Sequence, residues 1–254
     1  MDAFLHTFFD WDEMLAVLPT LLTEGIRNTL LIASLAAALG VIIGMGLAMM
    51  LLSRYLFVRL PARIFVDVFR GLPAIVTISL IGLGMPAAQF RPFGRSPIGY
   101  AVLAVGLISA AYCAEVFRSG IQSIDPGQMQ AGRSLGMSYL QTMRKVIVPQ
   151  GVRNVLPSLT NRFIIDIKES SLVYLLGLTT GERELYFIAH QQQATTYNSS
   201  ALVAAGGCYL LMTVPLTYAV NAWDNHLRHG RPSSGPGRPS GSGSFPIAKD
   251  LSEV

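Results

Sequence analysis

Hydrophobic positions in this chain gather in long unbroken runs, not in the alternation of a half-buried strand or the narrow stripe of a soluble helix. Residues 28–53, bounded by Arg27 and Arg54, carry no charge at all. That run exceeds the about 20 residues a helix needs to cross a bilayer. Similar runs cover residues 71–90, opened by Pro73 and loosened by Gly82, Gly84 and Pro86, then residues 96–114, and finally about 199–221. Another, from near Val152 toward Leu176, is interrupted by Arg162, Asp166, Lys168 and Glu169. The pattern predicts an all-α integral membrane protein with about five transmembrane helices. Gly40 and Gly44 form a G-x-x-x-G pair in the first run, which predicts close approach by another helix. Between the first two runs, Arg59, Arg63, Asp67 and Arg70 recur at helical spacing beside an apolar face, as in a helix lying along the headgroups.

One polar stretch, residues 123–150, is punctuated like an ordered element. Asp125 is placed to cap a helix, with Pro126 at its first position and Gln128 three residues after the cap. That helix is expected to run to about Leu135, where Gly136 supplies a left-handed stop. Ser138, with Gln141 three residues on, starts a second short helix whose C-terminal dipole would favour Arg144 and Lys145. Pro149 is expected to close the segment.

These residues carry a resemblance. The stretch resembles the cytoplasmic coupling loop of ABC-importer permeases, whose signature combines E-A-A, a glycine and a closing I-x-L-P. Gln130, Ala131 and Gly132 stand at the E-A-A positions, Gly136 at the glycine, and Ile147-Val148-Pro149 near the closing motif. Gln130 replaces the family's glutamate and Gly132 its second alanine. Upstream A-E-V-F-R-S-G-I-Q-S-I and V-F-R-G-L-P, and downstream K-E-S-S-L, resemble the polar amino-acid uptake branch. The resemblance implies a type I permease fold over residues 22–227, an extracytoplasmic segment at 1–21, and a cytoplasmic tail at 228–254, whose Gly, Pro and Ser content predicts flexibility.

Composition agrees with a membrane protein: 51% of residues are hydrophobic and only 13% charged, against about a quarter charged in soluble domains. Charge then sets orientation. Residues 54–70 hold four basic side chains, residues 115–153 five and the tail four, and with five spans these all fall on one side. The other side holds Arg27, Arg91, Arg95 and Arg183 among seven acids. By the positive-inside rule the N-terminus faces out and the C-terminus is cytoplasmic. The same topology explains the basic residues without nucleic acid as a partner. Cys113 and Cys208 lie in apolar runs and imply neither a disulfide framework nor a zinc site.

No G-x-x-x-x-G-K-[ST] phosphate cradle, no metal-ligand spacing around the four histidines and no G-x-S-x-G elbow is present. The sequence therefore reads as a non-enzyme with no cofactor of its own. The resemblance implies ATP and Mg on a separate ATP-binding ABC subunit, a second permease chain (identical or not), and an extracytoplasmic amino-acid-binding protein, all at the bacterial cytoplasmic (inner) membrane. Gln130, Ala131, Gly132 and Gly136 are the candidate docking residues, with Arg133 and Arg144 adding polar contacts. Ionisable groups at membrane depth are functional candidates because burying them is costly. On that ground Glu115, Arg118, Asp166, Lys168 and Glu169, with Ser170 and Ser171, are the candidate substrate path. Lys168 could pair with Asp166 or Glu169, and Glu115 with Arg118. The alternatives, a secondary transporter or a passive structural subunit, are distinguished by ion-coupling residues with repeats and by the absence of a motor.

Overall fold

The computed structural model describes residues 2–229. Among them every regular element is helical: α1 (Asp2–Phe8), α2 (Trp11–Thr20), α3 (Ile26–Leu51), α4 (Leu56–Gly71), α5 (Ala74–Ser79), α6 (Met85–Ala87), α7 (Pro97–Gln122), α8 (Pro126–Ser134), α9 (Tyr139–Thr142), α10 (Val148–Glu169), α11 (Leu185–Thr196) and α12 (Ser200–His229). Three helical stretches are long and apolar enough to span a membrane: Phe4–Leu51, Pro97–Gln122 and Ser200–Ala222. The pair Leu56–Gly71 and Ala74–Ala87 qualifies only jointly, bent by 107°. Pro73 explains the break, since it supplies no N–H to the preceding turn and holds the residue before it out of the helical region.

The centre of the bundle is the contact of α3 with α7. A β-carbon on Gly40 would stand 2.7 Å from the Ser109 side chain, and one on Gly44 2.6 Å from Cys113 Cβ and 2.9 Å from the Ala110 carbonyl, so the α3 backbone lies directly against the small side chains and backbone of α7. The predicted small-residue contact is thus present. Position 40 faces 109 and 44 faces 113, so the two helices run the same way. α10 runs the other way along α7: Gly151 touches Gly120 and Ile121, whereas Asp166, further on, reaches back to Ser109. α10 therefore lies beside a spanning helix although its own charges keep it from being apolar enough alone.

Several helices differ from expectation. α7 continues two turns past residue 114, to Gln122, so Glu115 and Arg118 belong to it. The reason is that both are paired, which removes the cost that ends an apolar run. Pro149 does not close the polar stretch. A π-helical turn, Met143–Ile147, joins α9 to α10 and shifts the hydrogen-bond register, so Pro149, which has no N–H to donate, is accommodated at the start of α10 without breaking the rod. Arg144 and Lys145 consequently occupy the middle of a continuous helical rod, not a helix end. Similar π turns, Leu21–Gly25 and Leu80–Gly84, join α2 to α3 and α5 to α6. α11 was not foreseen. Its periodicity is weak, and it is held by Glu184, which caps the Tyr186 and Phe187 amides and is buried against Tyr209. α12 extends beyond residue 221 to His229, so the first two residues of the flexible tail predicted at 228–254 are helical; residues 230–254 lie outside the described residues.

Candidate functional site

The knob formed by α8 and α9 has the two caps its punctuation predicts, although only the second is reciprocal: the Gln128 side chain does not bond back to Asp125. Asp125 accepts from the Gly127 amide at 2.6 Å, and Ser138 and Gln141 complete a reciprocal capping box at 3.2 and 2.8 Å. Gly136 turns the chain at φ +80°, a conformation that side chains other than glycine resist. Arg133 does not point freely outward: its guanidinium donates to the Met137 carbonyl at 3.0 Å and straps the turn. Met129 packs with Ile121, Met143 and Ile147, against Met49 and Leu52 of the α3 end, so the knob is seated on two helices at once. Gln130, Ala131 and Arg144 are exposed on its surface.

Gly132 is buried, and the reason lies across the knob in α9. A β-carbon there would fall inside contact with Thr142 Cγ2 and 2.8 Å from its Oγ1. Thr142 is itself fully buried and donates to the Ser138 carbonyl at 3.1 Å. A glycine in place of the family's alanine is therefore matched by the bulk of Thr142. Sequence reasoning missed the apolar tip: Leu135, Tyr139 and Leu140 are 83%, 55% and 70% exposed. Three bulky apolar residues around a glycine turn in a polar stretch were the available signal.

The second feature is a ladder of charges along one side of α7. Near the knob, Glu115 receives Arg118 at 2.6 Å, Arg63 at 3.2 Å and Arg70 at 4.0 Å, while Arg63 also reaches Asp67 at 3.4 Å. The polar stripe of α4 is thus turned partly onto α7. One helical turn along, the Tyr112 ring carries both Arg70, 5.4 Å from its centre, and Arg162, at 4.7 Å. Arg162 then binds Asp166 at 2.6 Å and Glu169 at 2.5 Å, and Ser109 donates to the other Asp166 oxygen at 2.9 Å. Arg63, Arg70, Arg118 and Arg162 face Asp67, Glu115, Asp166 and Glu169, so the ladder is electrically balanced. That balance permits the burial of Asp166, which is fully enclosed.

Of the predicted path residues, Glu115, Arg118, Asp166 and Glu169 join this ladder. The expected Glu115–Arg118 pair is formed. Lys168 pairs with neither carboxylate: it is exposed on another face, and Arg162 takes both. The geometry of a helix decides this, since residues 162, 166 and 169 share a face that 168 does not. The Ser170 and Ser171 hydroxyls bond back to the Ile167 and Lys168 carbonyls at 2.8 and 2.7 Å and stay outside the ladder. Arg63, Arg70, Ser109 and Tyr112 were not predicted as path residues.

A helical bundle with three or four helical stretches long and apolar enough to cross a membrane, a buried, balanced charge track and an exposed, capped knob has the architecture of a multi-pass membrane protein. Residues 17–229 match the family of binding-protein-dependent transport system inner membrane components, and the chain belongs to it. It is 33% identical over 220 residues to the arginine transport system permease protein ArtQ of Bacillus subtilis (strain 168), covering 86% of this chain and 97% of that one. It is 36% identical over 189 residues to the glutamate/aspartate import permease protein GltK of Escherichia coli O6:H1, covering 69% and 84%. The crystal structure of an amino acid ABC transporter with histidines superposes with a TM-score of 0.74 at 33% identity, over 84% of this chain and 96% of that one. As a member of this family the chain is a transport component of the ABC class, not an enzyme.

Proposed function

We propose that this chain forms one half of the translocation path of an ATP-driven importer of polar amino acids. A second permease chain supplies the other half. A separate ATPase, holding ATP and Mg, grips the knob in a surface groove, and an extracytoplasmic binding protein delivers cargo. The observation that carries the reading is mechanical: the knob runs through one continuous helical rod, from α9 through the π turn into α10, and α10 bears Arg162, Asp166 and Glu169. Movement of the knob is transmitted to the charge ladder instead of being lost in a flexible joint. Exposed Leu135, Tyr139 and Leu140 supply apolar contact with the ATPase beside Gln130, Ala131 and Arg144.

Alternating access follows from two arrangements of such a rod, with binding protein and nucleotide each favouring one by differential affinity. In the ladder, Arg162 offers a guanidinium to a substrate carboxylate and Glu169 a carboxylate to its ammonium. The substrates named for the relatives support a polar amino acid as cargo. Helix directions support the predicted topology: α3 and α7 run one way, α10 and the α4–α6 pair run back, and α12 returns. Five passes with the N-terminus outside put the knob in the cytoplasm of a bacterial inner-membrane protein. The test is reconstitution with the ATPase and binding protein. Gly136→Asp, which forces a side chain into a left-handed turn, is expected to abolish substrate-stimulated ATP turnover; unchanged turnover would refute the reading.

A further inference from the structure

The 88–96 loop, between α6 and α7, lies apart from both the knob and the charge ladder. Arg91 and Arg95 stand four residues apart on it and line a cavity of about 320 Å³, whose other walls include Leu83, Pro86, Tyr100 and Leu176. Among the described residues neither arginine forms an ion pair: Arg91 makes one long bond, from Nε to the Pro86 carbonyl at 3.4 Å, and Arg95 has no partner. Glu182 comes close at Ser96, but its two oxygens are taken by Ser96 at 2.6 Å and Thr179 at 2.8 Å. The loop is firmly built. Gln89 and Gly94 both turn left-handed, at φ 63° and 64°, and the Gly94 carbonyl accepts from the Tyr100 hydroxyl at 3.1 Å. A left-handed glutamine is costly and persists only where its surroundings fix it. Phe93 sets its ring edge-on to Tyr100, with 5.2 Å between centres, and so pins the loop to the first turn of α7.

From the cavity an apolar strip runs on. Leu83, Leu80, Val76 and Leu72 are exposed and fall about one per helical turn along the arm made by α5 and α6, away from the arginines. Phe90 and Phe93 are exposed beside the arginines, as aromatic residues are at a membrane–water boundary. A guanidinium meets phosphate oxygens two at a time, and a basic pocket between spanning helices suits a lipid headgroup. A small free anion would leave the strip uncovered, whereas an amphiphile covers it. Two cations facing one phosphate also disfavour a headgroup that carries its own ammonium. We propose that Arg91 and Arg95 clasp the phosphate of an anionic phospholipid of the phosphatidylglycerol kind, with an acyl chain laid along Leu83, Leu80, Val76 and Leu72. This needs only that α7 crosses the bilayer, so it stands apart from the importer reading.

In the experiment the full chain in detergent micelles is titrated with dioleoyl phosphatidylglycerol or dioleoyl phosphatidylcholine, and bound lipid is counted by native mass spectrometry. Phosphatidylglycerol is expected to bind the more tightly. Replacing both arginines, Arg91→Gln with Arg95→Gln, is expected to weaken it by about tenfold or more, since charge-assisted hydrogen bonds are lost. Arg59→Gln, in the exposed stripe of α4, is expected to leave it unchanged. Leu80→Asn tests the strip and is expected to weaken phosphatidylglycerol several-fold. Equal affinity for the two lipids, undiminished affinity in the double variant, or an equal loss in Arg59→Gln overturns the clasp. Displacement of the lipid by an equal concentration of inorganic phosphate marks a free-anion site and overturns it as well. Loss of the lipid whenever two chains associate shows the strip to be covered by protein, with the same consequence. A second measurement needs no variant: a diazirine-bearing phosphatidylglycerol is photolysed with the parent chain. Cross-links within residues 72–100 support the clasp, and cross-links confined to other segments overturn it.

Discussion

Replacing Gly132 by alanine tests whether the departure from the family motif is structural. In an exposed helix interior the change would stabilise by about 0.5–1 kcal/mol, because glycine loses more backbone freedom on folding. Here the added methyl meets Thr142, with Oγ1 at 2.8 Å and Cβ at 3.2 Å from it, and Cγ2 nearer still. Thr142 has little room to yield. It is buried, its hydroxyl is tied to the Ser138 carbonyl, and a β-branched side chain is stiff at χ1. Overpacking of this kind costs about 1–3 kcal/mol, so the net effect is a loss of roughly 1–2 kcal/mol in the knob. Hydrogen exchange over residues 126–142 then speeds up by about an order of magnitude, since 1.4 kcal/mol is roughly tenfold. Gly132→Ala with Thr142→Ala removes the collision and forfeits one hydrogen bond of about 1 kcal/mol, so exchange falls back part of the way. Slower exchange in the single variant would refute the reasoning, for it would mean that Thr142 moves aside and the propensity gain prevails.

Arg162→Met strands two carboxylates and is expected to cost about 3–5 kcal/mol, read as a lower melting temperature in detergent; adding Asp166→Leu restores part of the melting temperature while substrate uptake stays lost. Glu24 holds the 177–184 loop through the Gly181 and Arg183 amides and the Arg183 guanidinium, at 2.8, 3.2 and 2.6 Å. Glu24→Gln is expected to weaken that clamp by about 1.5–3 kcal/mol, checked as faster exchange confined to that loop. In the same loop, burial pushes Glu184 up to about 7, against the opposing pull of the Tyr186 and Phe187 amides and Tyr209. A carboxyl whose folded value is raised stabilises the fold at low pH and loses that contribution as pH climbs from about 4.5 through 7. Melting temperatures measured from pH 5 to pH 8, about one unit either side of 6–7, should therefore decline in the parent and stay flatter in Glu184→Gln.

How far the sequence could be read depended on the range of the forces involved. The knob was legible because Asp125, Pro126, Gly136, Ser138 and Gln141 act within one or two turns of themselves. Pro149 misled for the same reason: its local meaning is a stop, yet the π turn before it lets the rod continue. α11 escaped notice because its periodicity is weak and its cap is a glutamate, Glu184, whose burial against Tyr209 comes from 25 residues further along the chain. In the charge ladder the individual ionisable residues stood out, but their partners did not. Arg63 and Glu115 lie 52 positions apart, and nothing local to either names the other.

By itself the sequence determined that the chain is helical, that it enters a membrane, and that a capped two-helix element interrupts its apolar runs. Those outcomes rest on partition free energies and backbone caps, which sum over neighbouring residues. Only the tertiary structure decided that Arg162 and not Lys168 neutralises both carboxylates, that Thr142 fills the space beside Gly132, and that α9 and α10 act as one rod. Pairing and packing depend on which faces of separate helices meet, and that is settled only when the small residues of α3 and α7 bring the bundle together.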